Sequence, residues 1–352
     1  MSAKGANGDT RNRVVQYLYV HSPGDVLEYP TSRASVGAGR LANRYLECAL
    51  VQAASLRFNE ADCELILVTN LQDRHLLGRR GMRLLELLES FGVELLYADY
   101  DHRPANEVTW FYASRYVLDA IVACASGPSR GQRLWMMDLD CVWVDPQKIL
   151  SAFPPAGAIG CIEMAYDIDW DITGGTRAAF ESLSPMRPPP EVRKPWIGGE
   201  LLAGTPDDLL AMVAACERID LDLELLGHGL GTEEQLLTLS RALGQVRFVD
   251  LSYLGKRILT GPRHGGVRPE SPDALGLWHL PSEKGLGFRR TASALLAGRE
   301  SQVMRDLRSP SRAMRRFNVL GGKWTARRAR DDCWIVANRL REAALARLAN
   351  GV

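Results

Sequence analysis

The chain has 352 residues, of which 46% are hydrophobic and 24% are charged, a composition that allows one large globular domain with a sizeable core. Its formal net charge is +1, and no apolar run approaches the roughly 18 residues of a membrane-spanning helix, so we expect a soluble protein. The seven cysteines are odd in number and include no CxxC pair, which favours free thiols over disulfides or a zinc site and predicts a cytoplasmic protein.

The first part of the chain alternates strand-like and helix-like segments. Residues 1–13 are polar and glycine-rich, and we expect a flexible tail there. Continuous apolar runs then predict buried strands, and apolar residues at helical spacing predict the helices between them. The predicted strands are 14–21, 64–69, 93–97 and 133–137, and the predicted helices are 41–56, 79–91 and 110–124. This alternation favours a doubly wound α/β fold with a mixed, mostly parallel sheet flanked by helices.

The second part is less regular. Strands are predicted at 158–164, 196–204 and 246–251, with helices at 206–218 and 232–243, the last beginning after Thr232 as N-cap. A proline-rich loop at 184–195 and a glycine-rich loop at 260–272 interrupt them. We therefore predict one domain over 14–288, followed by a helical extension over 289–352.

The extension is strongly basic. It holds 15 basic and 5 acidic residues, a net charge of +10 that leaves −9 for the first 288 residues. Such a segment either packs on the acidic body as a solvated helical face, or meets an anionic membrane surface or a phosphorylated acceptor. A homodimer through residues 324–348 is a further alternative. The segment has no aromatic interleaving or recognisable binding module, so no nucleic-acid partner is expected.

The most informative motif follows the fourth predicted strand, where RLWMM runs directly into Asp138-Leu139-Asp140. Residues two apart on an extended chain point to one side, so both carboxylates can lie together beyond the strand end. Hard divalent cations prefer such oxygen ligands, usually one or two carboxylates plus phosphate oxygens of a substrate. The cation then neutralises charge that develops on a departing diphosphate. In a doubly wound sheet, ligands bind at this edge.

A second motif lies at LWHLPSEKG, where His279 ends an apolar run and Lys284 follows five residues later. The imidazole suits a third metal ligand, and the ammonium suits a phosphate-pairing cation. An imidazole ligand shifts the preference from Mg²⁺ toward Mn²⁺.

Other classes use similar motifs. A haloacid-dehalogenase-type phosphatase also carries Asp-x-Asp after an apolar strand, but normally on its first strand, whereas Asp138 is preceded by about 130 residues of α/β pattern. A nucleotidyltransferase would need a glycine-rich loop with Arg and Lys after its first strand, of which SVGAGR at 35–40 is a poor version. A binding module without catalysis would keep the fold and ignore the metal.

The order of motifs resembles retaining GT-A glycosyltransferases. In the glycogenin and lipopolysaccharide galactosyltransferase group, Asp-x-Asp is followed by a glycine-bearing strand, an acidic residue with Gln, and a terminal His with Lys beyond it. The blood-group A and B transferases are similar in a "TP" helix start followed by a glutamate. The matching residues here are Asp138, Asp140, Gly198 to Leu202, Glu234-Gln235, His279 and Lys284 for the first group, and Thr205-Pro206 and Glu233 for the second.

This resemblance implies an enzyme, a hexosyltransferase-type glycosyltransferase. The donor would be a nucleotide sugar, with UDP favoured, and the acceptor an unknown small molecule or glycan. Transfer would need Mn²⁺ or Mg²⁺ and would retain the anomeric configuration. The extreme preference for arginine, with only six lysines among 43 basic residues, is typical of a GC-rich genome and of a bacterial protein.

The expected site residues follow from the same comparison and from their places at predicted strand ends and helix starts. The helix-start carboxylates and the glycines also have ordinary structural uses, as partners of the helix dipole and as a β-bulge. The metal ligands are Asp138, Asp140 and His279; the catalytic residues are Glu233, Glu234 and Gln235; the donor-binding residues are Val20, His21, Asp99, Arg115, Leu139, Gly198, Gly199 and Lys284; and the acceptor-binding residues are Glu200, Arg263 and His264.

Overall fold

A computed structural model describes residues 11–21, 38–104, 112–126, 132–164, 175–184, 196–260 and 271–319. Within these ranges the strands are β1 Asn12–Leu18, β2 Glu64–Thr69, β3 Val93–Tyr97, β4 Arg133–Met137, β5 Cys141–Trp143, β6 Ile159–Met164, β7 Trp196–Gly204, β8 Phe248–Asp250, β9 Gly255–Arg257 and β10 Leu277–His279. The α-helices are α1 Ala38–Phe58, α2 Gly78–Ser90, α3 Tyr116–Ala125, α4 Pro146–Leu150, α5 Thr176–Leu183, α6 Pro206–Leu225, α7 Glu233–Ala242, α8 Arg289–Leu296, α9 Glu300–Leu307 and α10 Pro310–Arg316.

A seven-stranded sheet forms the centre, in the order β3-β2-β1-β4-β7-β6-β8. Strand β7 is antiparallel to both of its neighbours, and all other pairs in the sheet are parallel. The carboxyl ends of β1, β2 and β4 therefore share one edge, where the Asp-x-Asp motif follows β4. The predicted mixed, mostly parallel α/β sheet flanked by helices is confirmed.

Consecutive strand residues serve opposite faces of this sheet, as a pleated strand requires. Val14 and Trp135 belong to the core that the sheet shares with α1, α2 and α8 to α10, whereas Val15 and Met136 belong to the core shared with α3, α6 and α7. Because both faces are covered, the central strands are mostly apolar, with Gln16 on β1 and Glu200 on β7 as buried polar exceptions. β4 and β7 begin and end as predicted, whereas β1 runs from Asn12 to Leu18 and not over 14–21.

A second sheet was not predicted. Its three strands are ordered β5-β10-β9, with β10 antiparallel to β5 and parallel to β9. The pairing places His279 opposite Cys141 on one side and opposite Arg257 on the other. It therefore carries His279 back to the Asp-x-Asp turn, which immediately precedes β5.

Two further features bear on the sequence predictions. No helix among the described residues is both long and apolar enough to cross a membrane. The described cysteines are free thiols, and they are Cys48, Cys63, Cys124, Cys141, Cys161 and Cys216.

Candidate active site

The Asp-x-Asp turn is fixed by backbone contacts on both sides. The Asp138 amide donates to the Glu200 carbonyl on β7 at 3.1 Å, and the Gln52 amide group on α1 donates to the Asp138 carbonyl at 2.9 Å. The Leu280 amide, just after β10, donates to the Asp140 carbonyl at 2.9 Å. The two carboxylates differ in exposure: the Asp138 side chain is 32% exposed and that of Asp140 is fully buried.

His279 completes a group of three potential metal ligands. Its Nε2 lies 3.2 Å from Asp138 Oδ2 and 3.3 Å from Asp140 Oδ2, and the ligand atoms of the three residues lie within 4.8 Å of one another. Its other ring nitrogen, Nδ1, lies 3.4 Å from Oε1 of Glu200.

These residues fit a divalent cation. Asp140 and His279 are buried, and their nearest polar neighbours are one another, Asp138, Glu200 and Lys284, in ion pairs of 3.1 to 3.4 Å. Asp140 Oδ1 is also buried and has no hydrogen-bond partner among the described residues. Two carboxylates that converge with an imidazole, one of them with an unsatisfied buried oxygen, indicate a ligand. Two carboxylates and an imidazole suit Mn²⁺ or a related ion with open positions for phosphate oxygens.

Lys284 adds a positive charge beside these ligands. Its Nζ lies 3.1 Å from Asp140 Oδ2 and 5.0 Å from the centre of the Tyr45 ring. Burial alone would raise the pKa of Asp140, but the charges of Lys284 and His279 hold that pKa well below its usual value. Burial would lower the pKa of His279, but Asp140, Asp138 and Glu200 raise it well above its usual value. Protonated His279 thus supplies positive charge where a cation would bind.

Helix α7 presents two glutamates with different surroundings. Glu234 Oε1 accepts from the Gly199 amide at 3.1 Å and from Arg257 at 2.5 Å, and its Oε2 accepts from the Trp196 indole at 2.9 Å. Glu233 is 6% exposed, and its Oε2 has no hydrogen-bond partner among the residues described. Burial, and then the charge of Glu234, raises the pKa of Glu233 to about 8.

Tyr17 on β1 connects the two groups of carboxylates. Its hydroxyl donates to the Gly199 carbonyl at 3.2 Å. Burial, followed by the charges of Asp138 and Glu233, raises the pKa of Tyr17 well above its usual value. The hydroxyl is therefore close enough to both carboxylates to feel their charge. The sequence analysis missed Tyr17, although its place near the end of a central strand was a usable signal.

Two predicted site residues have structural partners instead. The Arg115 guanidinium is 1% exposed and binds Asp220 through two nitrogens, at 2.7 and 2.8 Å, and the Leu230 carbonyl at 2.9 Å. The Gln235 amide oxygen accepts from the Gly231 and Thr232 amides in a capping box, and its nitrogen donates to Thr176. Sequence spacing showed neither set of partners.

Three other predicted residues lie around the glycine strand β7 and the Asp-x-Asp turn. Glu200 is buried between Arg257 and His279, so it lies beneath the metal ligands rather than on an open acceptor face. A Cβ added at Gly198 would come within 2.1 Å of Glu200 Oε2, and one at Gly199 within 2.2 Å of Glu233 Oε1. Leu139 is buried in the apolar core, and its amide donates to Asp138 Oδ1 at 2.8 Å.

An aromatic cluster lies past the carboxyl end of β1. Val20 is held by Asn70, which accepts from its amide at 2.7 Å and donates to its carbonyl at 3.0 Å. His21 packs edge-on against Tyr19 at 5.0 Å and Tyr112 at 6.0 Å. Tyr100 and Tyr116 join the cluster, the Arg103 guanidinium covers the rings of Tyr19 and Tyr100, and Asp99 is exposed and accepts from Tyr97. The predicted Arg263 and His264 lie outside the described residues.

Comparisons with known proteins give structural neighbours only. No protein-family model matches the chain, and no curated protein matches its sequence. The apo form of mouse xyloside xylosyltransferase 1 matches with a TM-score of 0.49 and 13% identity, over 79% of this chain and 100% of that one. The apo bifunctional glycosyltransferase WbbM matches with a TM-score of 0.46 and 10% identity, over 77% of this chain and 46% of that one. Both neighbours are named as glycosyltransferases.

Proposed function

We propose that the protein is a metal-dependent glycosyltransferase that moves a sugar from a nucleoside diphosphate, with UDP favoured, to an acceptor hydroxyl. The observation that carries this proposal is the convergence of Asp138, Asp140 and His279 at the carboxyl edge of the sheet, where their potential ligand atoms lie within 4.8 Å of one another. Lys284 beside them supplies a second positive charge for an anionic ligand.

These side chains have different roles in binding the donor. Asp138, Asp140 and His279 would hold Mn²⁺ or Mg²⁺, which supplies charge neutralisation for the departing diphosphate when it is bound. Lys284 pairs with diphosphate oxygens once they compete with Asp140 for its ammonium group. The more exposed carboxylate of Asp138 faces the entering donor, whereas Asp140 is shielded and stays ionised.

Glu233 is the carboxylate that acts at the reacting sugar. Glu234 has its charge compensated by Arg257 and its oxygens occupied by three donors. Glu233 has no cationic partner among the described residues, and its pKa of about 8 means that it ionises only at the upper end of the neutral range. Once ionised, its carboxylate can stabilise positive charge that develops at the anomeric carbon, or attack that carbon. We propose retention of configuration, as the resemblance implies; with inversion, the same carboxylate would take the acceptor proton.

The aromatic cluster at the end of β1 suits the nucleoside. The cluster lies at the same sheet edge as the Asp-x-Asp turn, with Val20 and His21 following β1, and the Arg103 guanidinium over Tyr19 and Tyr100 supplies a planar cation on which a base can stack. Asp99 is exposed beyond β3 and can accept a ribose hydroxyl.

The remaining partners are proposed on charge. Residues 289–319 carry a net charge of +6, and their exposed arginines Arg289, Arg290, Arg299, Arg305, Arg312 and Arg315 have no ion-pair partner among the described residues. This surface suits an acceptor or a membrane surface that carries negative charge. The free thiols suit a reducing compartment such as the cytoplasm.

The geometry favours a transferase over the phosphatase alternative. A phosphatase of that type needs one aspartate as nucleophile and the second as a proton donor. Asp140 cannot readily supply a proton, because Lys284 and His279 hold its pKa well below the usual value. The Asp140 carboxylate, fully buried and 3.3 Å from His279 Nε2 and 3.1 Å from Lys284 Nζ, suits metal ligation instead.

The test is a panel of UDP-sugars assayed with and without Mn²⁺, for wild type, Asp140→Ala and the matched control Asp222→Ala, which changes an exposed aspartate on α6. We expect metal-dependent release of UDP from at least one donor. Asp140→Ala should reduce turnover by at least about 100-fold, since a metal ion supplies several kcal/mol of transition-state stabilisation, and Asp222→Ala should not. Turnover that survives Asp140→Ala would contradict the proposal.

A further inference from the structure

A chain of charged side chains connects the metal ligands to the reacting carboxylates. Nδ1 of His279 lies 3.4 Å from Glu200 Oε1. Both oxygens of Glu200 then accept from Arg257, Oε1 from Nε at 3.2 Å and Oε2 from Nη2 at 2.9 Å. The same Nη2 donates to Glu234 Oε1 at 2.5 Å, and Glu234 is adjacent to Glu233.

Arg257 can bridge the two glutamates because of the second sheet. β9 and β10 are parallel, and Arg257 is in register with His279. The Ile258 amide donates to the His279 carbonyl at 2.8 Å, which fixes the two strands against each other just beyond that pair. The side chains of Arg257 and Glu234 are 17% and 15% exposed, and that of Glu200 is fully buried.

Because these charges are buried, each of them needs a partner of opposite charge. A buried charge is costly unless it is paired and hydrogen-bonded, and removal of one partner leaves the other uncompensated. Arg257 is the cation that compensates both Glu200 and Glu234. Its planar guanidinium presents nitrogens in a fixed fork, so it also sets the relative positions of the two carboxylates.

Each carboxylate then orients a different part of the site. Glu200 faces Nδ1 of His279, which turns Nε2 toward Asp138 and Asp140. A carboxylate behind a metal-binding histidine commonly fixes the ring in this way. Glu234 holds the Gly199 amide at 3.1 Å, and Gly199 is the residue whose missing Cβ leaves space for Glu233.

We propose that Arg257 and Glu200 are positioning residues of the transferase: Arg257 acts through Glu200 on the metal ligand His279 and through Glu234 on the backbone beside Glu233. This inference rests on the proposed function, because it assigns the network to a metal and a sugar site. It specifically predicts that the contact through Glu200 and the contact through Glu234 affect different measurable quantities. Glu200 governs metal affinity, Glu234 governs the sugar step, and Arg257 governs both.

The test compares Glu200→Gln, Glu234→Gln, Arg257→Lys and Arg257→Met by calorimetric titration with Mn²⁺ alone, and by kcat and KM for donor turnover. Glu163→Gln and Arg241→Lys are the matched controls, since that pair is also 2.5 Å apart and partly buried, on β6 and α7. Thermal melts and circular dichroism confirm that each variant is folded.

Glu200→Gln should weaken Mn²⁺ binding by about 10- to 100-fold, the usual effect of losing a carboxylate behind a ligating histidine. Glu234→Gln should leave Mn²⁺ affinity within about twofold and lower kcat, while Arg257→Met should lower both. Arg257→Lys keeps the charge but not the fork, so it should recover part of each loss. The two controls should match wild type in Mn²⁺ affinity and in kcat.

Two outcomes would count against the claim in different ways. If wild type binds Mn²⁺ and folded Glu200→Gln binds it equally well, the inference fails while the proposed function stands. If wild type binds no Mn²⁺ and Asp140→Ala changes nothing, the proposed function fails and takes the inference with it. If Arg257→Met does not fold, Arg257→Lys and Glu200→Gln decide the question.

Discussion

Glu233 and Glu234 are neighbours in the chain, but the protein treats their carboxylates in opposite ways. Glu234 is compensated by Arg257 and accepts hydrogen bonds on both oxygens. Glu233 is buried beside that charge with one oxygen unsatisfied, and its pKa is raised to about 8. An ionised Glu233 therefore destabilises the fold, as is common for groups whose chemistry conflicts with stability.

The Glu233→Gln variant should be more stable than wild type at high pH. Because the pKa of Glu233 rises from 4.5 in the unfolded chain to about 8 in the folded protein, the folded state binds the extra proton between these values. Wild-type stability should therefore fall as pH rises through this window, whereas Gln stays neutral. We expect a gain of roughly 2–4 kcal/mol at pH 9, little difference near pH 4, and loss of sugar transfer.

Urea unfolding of both proteins at pH 4 and pH 9 measures this difference. Glu234→Gln is the comparison, because it weakens a charge-assisted bond to Arg257 and should lower stability at pH 9. A Glu233→Gln variant that is less stable than wild type at pH 9 would show that the burial of Glu233 carries no penalty.

The metal ligands could be found from sequence, but their supporting residues could not. Asp138 and Asp140 follow an apolar strand, and His279 was found by its place in a motif order. Arg257 lies 57 residues from Glu200, and Arg115 lies 105 residues from Asp220, so only the folded chain shows that Arg257 binds Glu200 and that Arg115 binds Asp220. Local pattern carries no information on such pairs.

Strand β7 shows why the glycines matter. It is antiparallel between β4 and β6, and each of its residues is buried. The absent side chain at Gly199 leaves the position that Glu233 occupies, since an added Cβ would lie 2.2 Å from Oε1. A methyl group there should displace the carboxylate, because Oε1 is the movable end of a side chain.

Gly199→Ala should therefore reduce transfer while sparing the metal site. We expect a fall in kcat/KM of at least about tenfold, because small displacements of a reacting group are costly. Mn²⁺ affinity should stay close to wild type, because Glu233 is not a ligand. Calorimetry and donor turnover on the same protein preparation measure the two quantities.

Gly160→Ala on β6 is the control for this substitution. Its added Cβ would meet Leu251 Cδ1 at 2.6 Å, also the end of a side chain, but away from the carboxylates. It should cost stability without a comparable loss of kcat/KM. Equal activity in the two variants would mean that Glu233 needs no particular position beside β7.

The strands differed in how well the sequence predicted them. β2, β3, β4 and β7 begin and end where the sequence predicted. β2, β4 and β7 are buried on both faces and therefore mostly apolar, whereas the edge strand β3 has exposed Glu94 and Tyr97. β5, β9 and β10 have three residues each, too few to show a period, and they exist through pairing with one another. The sheet that carries His279 and Arg257 was therefore invisible in the sequence.

At the scale of the whole molecule, the basic segment packs against the main core. In the described part of the predicted extension, residues 289–319, most arginines are exposed, Arg316 is largely buried against Asp306 and Thr291, and the apolar side chains share the core of α1. Phe288, Leu295, Val303 and Phe317 belong to the same core as the α1 residues. Arg308 also donates to the Phe58 carbonyl at the end of α1, at 2.5 Å. The high net charge of this segment comes from arginines that are mostly exposed, which is why its composition did not reveal the packing of its apolar residues.

This packing predicts that Phe317→Ala weakens the entire domain. The Phe317 ring is fully buried, and its centre lies 5.2 Å from that of the Phe288 ring. It also packs closely on Gly287, where an added Cβ would lie 2.7 Å from Phe317 Cδ1. Truncation of a buried Phe costs about 3–5 kcal/mol. Since α8 to α10 share a core with α1, calorimetry should show one cooperative transition at a lower Tm, with urea unfolding giving the matching free energy.

Arg315→Ala, a change of an exposed residue on α10, should shift stability by less than about 0.5 kcal/mol. An unshifted main transition with a separate small one would instead mean that the extension folds on its own.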